Sequence, residues 1–341
     1  MTTINAQVVA DSLSPQGDRL ISVLATFPRI ILAEVNTHRM LSKNTSSSRA
    51  IPFTKMVEAV QNDPFIPIAF QKAHKGMQGT EYFTDKVDIE FLKDMWLSGL
   101  DYAVQQAKAM NNPESFTDKK GLTKQLCNRL LEPFMWTTML ITGSKEGWDN
   151  FFSLRCPKYY GVYKSQQELL VNNVEERKRP FHERPNEAQA EIHMQMLAEE
   201  IYDAVNKSTP KQLQAGEWHI PFEDKIDLID WLDTVNNDGH LDGDLDEQDR
   251  LFEIDKVKIS TAMSARTSYT VVGDEKEVDY SKMIELHDRL IAQDPPHSSP
   301  MEHCSQCVTQ EEYDNSYKGK EKGWFRNYKG FKSYRQIIED N

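Results

Sequence analysis

Four cysteines among 341 residues are too few for a disulfide scaffold and fit a chain kept in a reducing compartment. No apolar run approaches the roughly 20 residues that a membrane-spanning helix needs. The opening Met-Thr-Thr-Ile-Asn-Ala-Gln has no signal-peptide pattern, so a cytoplasmic location is expected. Basic residues are in deficit: 40 Lys and Arg face 53 Asp and Glu, a formal net charge of −13. A nucleic-acid polymer or an anionic membrane wants a basic face, so neither is expected as the main partner. Internal repeats and low-complexity tracts are absent, and no clean linker divides the chain, which reads as one domain over residues 1–341.

A hydrophobic content of 39% and a charged content of 27% are ordinary for a globular protein able to bury a substantial core. The apolar run Leu20–Val35, interrupted by Pro28, reads as two short buried strands or one bent strand. Val57–Gln61 and Ile89–Met110 look helical. Residues 121–155, with Trp136, Trp148, Phe151 and Phe152, suggest core helix. Ile192, Met196, Leu197 and Ile201 recur at helical spacing over 186–206, with Asn186 as a candidate cap. Val257–Ala262 reads as a strand. The pattern predicts an α/β fold, a central sheet flanked by helices.

Residues 37–49, Thr-His-Arg-Met-Leu-Ser-Lys-Asn-Thr-Ser-Ser-Ser-Arg, carry the densest chemistry. Short hydroxyl and amide side chains offer many hydrogen-bond partners, and two guanidiniums can grip anionic oxygens. At the end of a buried strand such a loop suits a nucleotide phosphate. In a chain of this net charge, a phosphate needs a local Arg cluster. The same residues also suit a Ser-rich surface turn, and spacing alone does not choose between them. Ala265-Arg-Thr-Ser-Tyr269 and His297-Ser-Ser-Pro-Met-Glu-His303 are two further polar segments. The latter would serve as a metal cluster, a base with an orienting partner, or a capped helix start. Arg129 precedes Leu-Leu-Glu-Pro, and Arg155 closes an aromatic helical face, where it must snorkel, pair with a carboxylate, or meet a ligand.

Together these segments resemble the flavin-dependent thymidylate synthases. That family's Arg-His-Arg, Ser, Asn-Glu, Ser-Gly-Arg signature is matched without a gap by His38, Arg39, Ser42, Asn44, Ser47 and Arg49. Its Ala-Arg-x-Ser-aromatic segment is matched by Ala265, Arg266, Ser268 and Tyr269, and its His-x-Ser/Thr-Pro-Phe-Glu-His by His297, Ser299, Pro300, Glu302 and His303. Arg129 with Pro133, Asn150 with Arg155, and Ala188, Gln189, Glu191 and Ile192 match further pieces. The order differs from the usual family chain, in which the Ser-Tyr and His-Pro-Glu-His segments come before the His-Arg loop. A circular permutation is therefore implied, and the segment after His303 should lie near the strand before His38. Residues 56–118, 157–186 and 205–255 look like insertions.

The resemblance implies reductive methylation of dUMP, with FAD as cofactor and NADPH and methylenetetrahydrofolate as co-substrates, in a homotetramer. It implies catalytic roles for Arg155, His297 and His38, and dUMP contacts from Glu34, Ser47, Ser48, Arg49, Arg129 and Arg155. Flavin contacts would come from His38, Arg39, Asn44, Asn150, Ser268, Ser299 and Glu302, with no metal. Thr37, Thr45 and Ser48 replace the family's Arg, Glu and Gly, Ala50 stands where a Tyr often follows, and Ser144-Lys145-Glu146 replaces a flavin-holding Asn-x-Arg. The change at Thr45 motivates an alternative product, 5-hydroxymethyl-dUMP. A nucleotide-binding relative that has lost flavin is the non-enzymatic alternative. Cys304-x-x-Cys307 would make a weak zinc or redox pair and reads as incidental; Asp238–Asp249 approximates a calcium loop but reads better as a solvated acidic turn.

Overall fold

The computed structural model describes residues 1–75, 79, 81–188, 190–237, 245–269 and 278–340, in a mixed α/β architecture. The chain opens with a hairpin of β1 (Asn5–Leu13) and β2 (Arg19–Pro28), followed by α1 (Leu32–Asn36) and β3 (Ser42–Thr45). Helices α2 (Phe53–Asn62), α3 (Lys86–Asn111) and α4 (Lys124–Cys127) precede β4 (Trp136–Ser144) and α5 (Lys145–Arg155). Then come α6 (Gln166–Asn172), α7 (Ile192–Lys207), β5 (Lys211–Gln212), β6 (Trp218–His219), α8 (Leu228–Asn237), α9 (Leu245–Arg266) and α10 (Tyr280–Ile291). The C-terminal part holds β7 (Ser305–Cys307), α11 (Gln310–Asn315), the hairpins β8–β9 (Tyr317–Lys318, Glu321–Lys322) and β10–β11 (Trp324–Phe325, Tyr328–Lys329), β12 (Phe331–Ser333) and α12 (Tyr334–Asp340).

The central sheet runs β3-β4-β2-β1-β5, antiparallel except for the short β1–β5 pairing. One face is closed by α5 and α7, whose Trp148, Phe151, Phe152, Leu197 and Ile201 pack on Val23, Ala25, Phe27 and Ile141. Burying each such side chain contributes roughly 1.5–3 kcal/mol, so the end of α5, where Arg155 sits, is firmly placed. A second apolar cluster joins α2 and α3 to Leu131 and Phe134, and a third joins α8, α9 and α10.

Several elements differ from the sequence reading. The run Leu20–Val35 is one strand and then a helix: Pro28 ends the ladder opposite Trp136, and Ile31 and Val35 are buried four residues apart on the following turns. Trp136 lies on β4 rather than a helix, in a Thr-rich central strand paired on both edges. Val257–Ala262 is part of α9; its Val-Lys-Ile-Ser-Thr-Ala alternates apolar with polar residues and is rich in β-branched ones, which mimics a strand, whereas in the helix Ser260 and Thr261 are buried along with Val257 and Ile259. The helix expected from 186 starts at Ile192, capped by Glu191, while the Asn186 Oδ1 accepts from the Lys158 and Ala188 amides. Helices expected around 57–61 and 89–110 are present as α2 and α3. Residues 211–219, within the expected insertion 205–255, supply β5 to the central sheet and β6 to a three-stranded sheet ordered β12-β7-β6.

The segment after His303 packs against β2: Cys307, Tyr328 and Phe331 share an apolar cluster with Leu20. Beside it a buried polar chain crosses the strands, from Ser12 Oγ to His219 Nδ1 (2.9 Å), His219 Nε2 to Ser22 Oγ (2.8 Å), Ser22 to Thr142 Oγ1 (2.6 Å) and Thr142 to His303 Nδ1 (2.8 Å). Burial holds His219 down to about 4 and His303 to about 3, so both stay neutral. Cys304 and Cys307 are buried free thiols, pushed up to about 11 and about 12 by burial. Among the described residues no three His, Cys, Asp or Glu side chains gather into a metal set, and no helix is long and apolar enough to cross a membrane. Most of the calcium-like loop, and Gln189, lie outside the described residues.

Candidate functional site

β3 is the edge of the central sheet, and its four residues alternate: Ser42 and Asn44 are buried, Lys43 and Thr45 half-buried. The chain enters it from α1 through a tight turn in which His38 N donates to Val35 O and Leu41 N to His38 O. The Lys43 ammonium reaches back and also donates to the His38 carbonyl. This pins the His38 ring in a buried slot, edge-on to Phe151 with centroids 4.8 Å apart.

Arg155 completes the slot. Its Nε donates to His38 Nε2 at 2.9 Å, Nη1 to Glu34 Oε2 at 3.4 Å and Nη2 to Thr37 Oγ1 at 3.3 Å. A guanidinium only donates, so His38 Nε2 offers a lone pair and the ring's proton is assigned to Nδ1. Burial first, then Arg155 and Lys43, lower the His38 pKa to about 4. Glu34 moves the other way, raised by burial, which the Arg155 charge opposes. The two outer contacts of Arg155 are long and a ligand's oxygens can replace them; the Nε bond to His38 is the anchor.

The loop beyond β3 gathers a second group. Asn44 donates through Nδ2 to the Ser264 carbonyl and accepts the Ser268 hydroxyl at 3.1 Å, while Ser47 N donates to Ser268 O at 3.0 Å. The Ser268 segment, distant in sequence, is thereby fixed against β3. Ser48 is buried, with its hydroxyl given to Glu132 Oε1 at 2.6 Å. Arg49 is exposed on this turn, and Arg129 is exposed beside Asn128, which donates to the Ser48 and Ile51 carbonyls.

The turn Ser299–Glu302 lies against β3 from the third segment. Glu302 accepts from Arg335 at 2.6 Å. Burial lowers Lys43 to about 8, and the Glu302 charge opposes that shift. Ser299 is half-buried; Arg39 and Asn150 are exposed. His297 is exposed in the loop after α10, tied by its backbone amide to Leu290 O at 3.1 Å. Glu34, His38 and Arg155 therefore meet directly, and so do Asn44, Ser47 and Ser268. Among the described residues no hydrogen bond joins the side chains of His297, Ser299, Arg39 or Asn150 to either group, although the Ser299 turn packs on β3.

No family model matches the chain, and no curated protein matches it in sequence. Solved structures resemble it distantly. A UMP/dUMP methylase, PolB from Streptomyces cacaoi bound with 5-Br dUMP, is 12% identical, over 60% of this chain and 91% of that one, with a TM-score of 0.43. The same protein bound with 5-Br UMP gives 14%, 61%, 90% and 0.40. Flavin-dependent thymidylate synthase ThyX from Helicobacter pylori, complexed with FAD and dUMP, is 16% identical over 55% of this chain and 67% of that one, with a TM-score of 0.28.

Lys43, Asn128, Glu132 and Arg29, none of them a candidate from the sequence, all bind or brace the loop. Two of them were within reach: Lys43 lies inside the polar segment, and Asn128 adjoins Arg129. Glu132 and Arg29 carry no local signal, because their partners lie far along the chain. The surface clefts of about 390 Å³ beside α2 and α3 and 270 Å³ beside α6 and α7 are lined by none of the site residues.

Proposed function

We propose that this chain is a flavin-dependent thymidylate synthase that methylates dUMP to dTMP, with methylenetetrahydrofolate as carbon donor and NADPH as reductant. The observation that carries the reading is the convergence of three separate polar segments on β3, with Arg155 anchored on neutral His38 beside them. Adjacency of the post-His303 segment and β2 supports a permuted order for the same fold.

Uracil C5 becomes nucleophilic only when charge developing on the ring is stabilised. Arg155 suits that task. Its Nη atoms have weak intramolecular partners, and the buried His38–Phe151 ring pair beside its Nε lowers the local dielectric on that side. Neutral His38 keeps the guanidinium in one orientation without competing for its charge. Arg49 and Arg129, with Ser47, would take the phosphate; Glu34 would border the base, and Ser48 would shape the turn through Glu132.

The residues present fit FAD. Exposed Arg39 offers a cation for a diphosphate beside the buried, uncharged His38 ring, and Asn44 with Ser268 forms a fixed polar wall. Asn150, Ser299 and Glu302 would complete the flavin contacts. His297 would border the one-carbon unit. When bound, the flavin supplies the hydride; the protein supplies placement and electrostatics. The proposal extends to a homotetramer acting in the cytoplasm, with 1–341 a single domain carrying insertions at 56–118, 157–186 and 205–255.

The test is the nucleotide's mass after incubation of purified protein with FAD, NADPH, methylenetetrahydrofolate and dUMP. dTMP is expected. Colourless protein and unchanged dUMP would overturn the reading, and a hydroxymethyl product would reassign the final step.

A further inference from the structure

The turn Ser46–Ile51 is held from below by three side chains that belong to none of the polar segments singled out above. Asn128 is fully buried and donates through one amide to two turn carbonyls, Ser48 O at 2.6 Å and Ile51 O at 3.0 Å. Glu132, one turn further on, accepts the Ser48 hydroxyl at 2.6 Å. Arg29, at the end of β2, lies 3.3 Å from the same Glu132 oxygen and donates to Ser46 O at 2.9 Å. Above this brace the turn exposes Arg49, and the residue next to Asn128 is the exposed Arg129. The Ser48 and Arg49 amides find no acceptor among the described residues, so the turn keeps donors for an anion.

Asn128 is a poor choice for stability alone. Its Oδ1 is buried with no partner, a cost that a smaller or apolar residue would avoid. What it achieves is geometric: one buried amide holds two carbonyls of the turn, on either side of the exposed Arg49 in sequence, and so fixes the turn's shape. Glu132 adds a carboxylate near a phosphate site, and its pairing with Arg29 and Ser48 keeps that charge from facing the ligand.

We infer that Asn128, supported by Glu132 and Arg29, is the positioning residue that turns the Ser46–Ile51 loop into a seat for the phosphate of a nucleoside monophosphate. This rests on the nucleotide reading above and adds to it the device that selects phosphorylated over unphosphorylated ligand. Asn128 acts through the turn and does not touch the ligand.

The experiment compares the affinities of dUMP and deoxyuridine for the full chain by calorimetry, in wild type, Asn128→Ala, Glu132→Leu and Glu132→Gln. Wild type should prefer dUMP by roughly tenfold or more, the scale of one charged hydrogen bond. Asn128→Ala and Glu132→Leu should weaken dUMP binding by roughly that factor and leave deoxyuridine unchanged, so the preference collapses. Glu132→Gln, which keeps an acceptor for Ser48, should restore most of it. Glu132 is partly exposed, so its variants serve if Asn128→Ala does not fold. Equal weakening of both ligands in the Leu and Ala variants would mean a purely structural role and overturn the inference. A wild type that binds deoxyuridine but shows no preference for dUMP overturns the seat while leaving the base site standing; binding of neither ligand overturns the nucleotide reading itself.

Discussion

Arg155 Nε and His38 Nε2 are 2.9 Å apart, and the two residues come from the end of a helix and from a turn 117 positions earlier in the chain. Their pairing leaves a cation with one firm contact and two loose ones, its anchor His38 packed edge-on against Phe151. A charge so placed can serve a reacting ring because its orientation costs nothing at the moment of reaction.

Replacing Arg155 with Ala should lower kcat on dUMP by about 10²–10³ or more, with thermal stability changed little because the side chain is partly exposed and its Glu34 contact is long. Steady-state kinetics and a thermal melt on the same preparation check this. Unchanged kcat would remove Arg155 from the chemistry.

Arg49→Ala should act on binding: KM for dUMP rises roughly tenfold or more while kcat changes little, as expected for a contact made equally in ground and transition states. Arg129→Ala should do the same. A fall in kcat at unchanged KM would place these residues elsewhere.

Lys43 supplies a separable handle on the slot. Removing its charge in Lys43→Met should raise the His38 pKa above its value of about 4, and burial and Arg155 should keep it below the ordinary 6.5. Histidine side-chain NMR against pH reads this directly. No movement of the His38 titration would show that the ammonium does not act on the ring.

Stability should fall in mild acid. His219 and His303 have folded pKa values of about 4 and about 3, below the ordinary 6.5, so the unfolded chain takes up protons first. Their contribution is complete above pH 6.5 and is lost as pH falls towards the folded values, at about 1.4 kcal/mol per pH unit for each. Glu199 opposes this. Burial raises it to about 8, so its cost to folding grows as pH rises from 4.5 to 8. Urea unfolding at pH 7 and 5 should show lower stability at pH 5, and Glu199→Gln should stabilise the protein at pH 8. Greater wild-type stability at pH 5 would contradict the neutral-histidine assignment.

What the sequence made legible was local. The loop 37–49 announced itself through composition, and α2 and α3 through their periodicity. Less visible was anything set by long-range partners. The helix over Val257–Ala262 reads as a strand because Val257 and Ile259 alternate with Lys258 and Ser260, and only its tertiary neighbours bury Ser260 and Thr261 as well. Glu132 is an unremarked acid until Ser48 and Arg29 meet it in space. The nearness of Ser268 to Asn44 is marked by one hydrogen bond across 224 positions, which spacing along the chain cannot convey.

The most direct test of the central claim uses dUMP labelled with tritium at C5, because substitution at that carbon must release its hydrogen whichever one-carbon product forms. With FAD, NADPH and methylenetetrahydrofolate present, wild type should release tritium into water in a flavin-dependent manner, and Arg155→Ala should not. Tight dUMP binding with no tritium release under any combination of these components would contradict the account and leave a nucleotide-binding protein without catalysis.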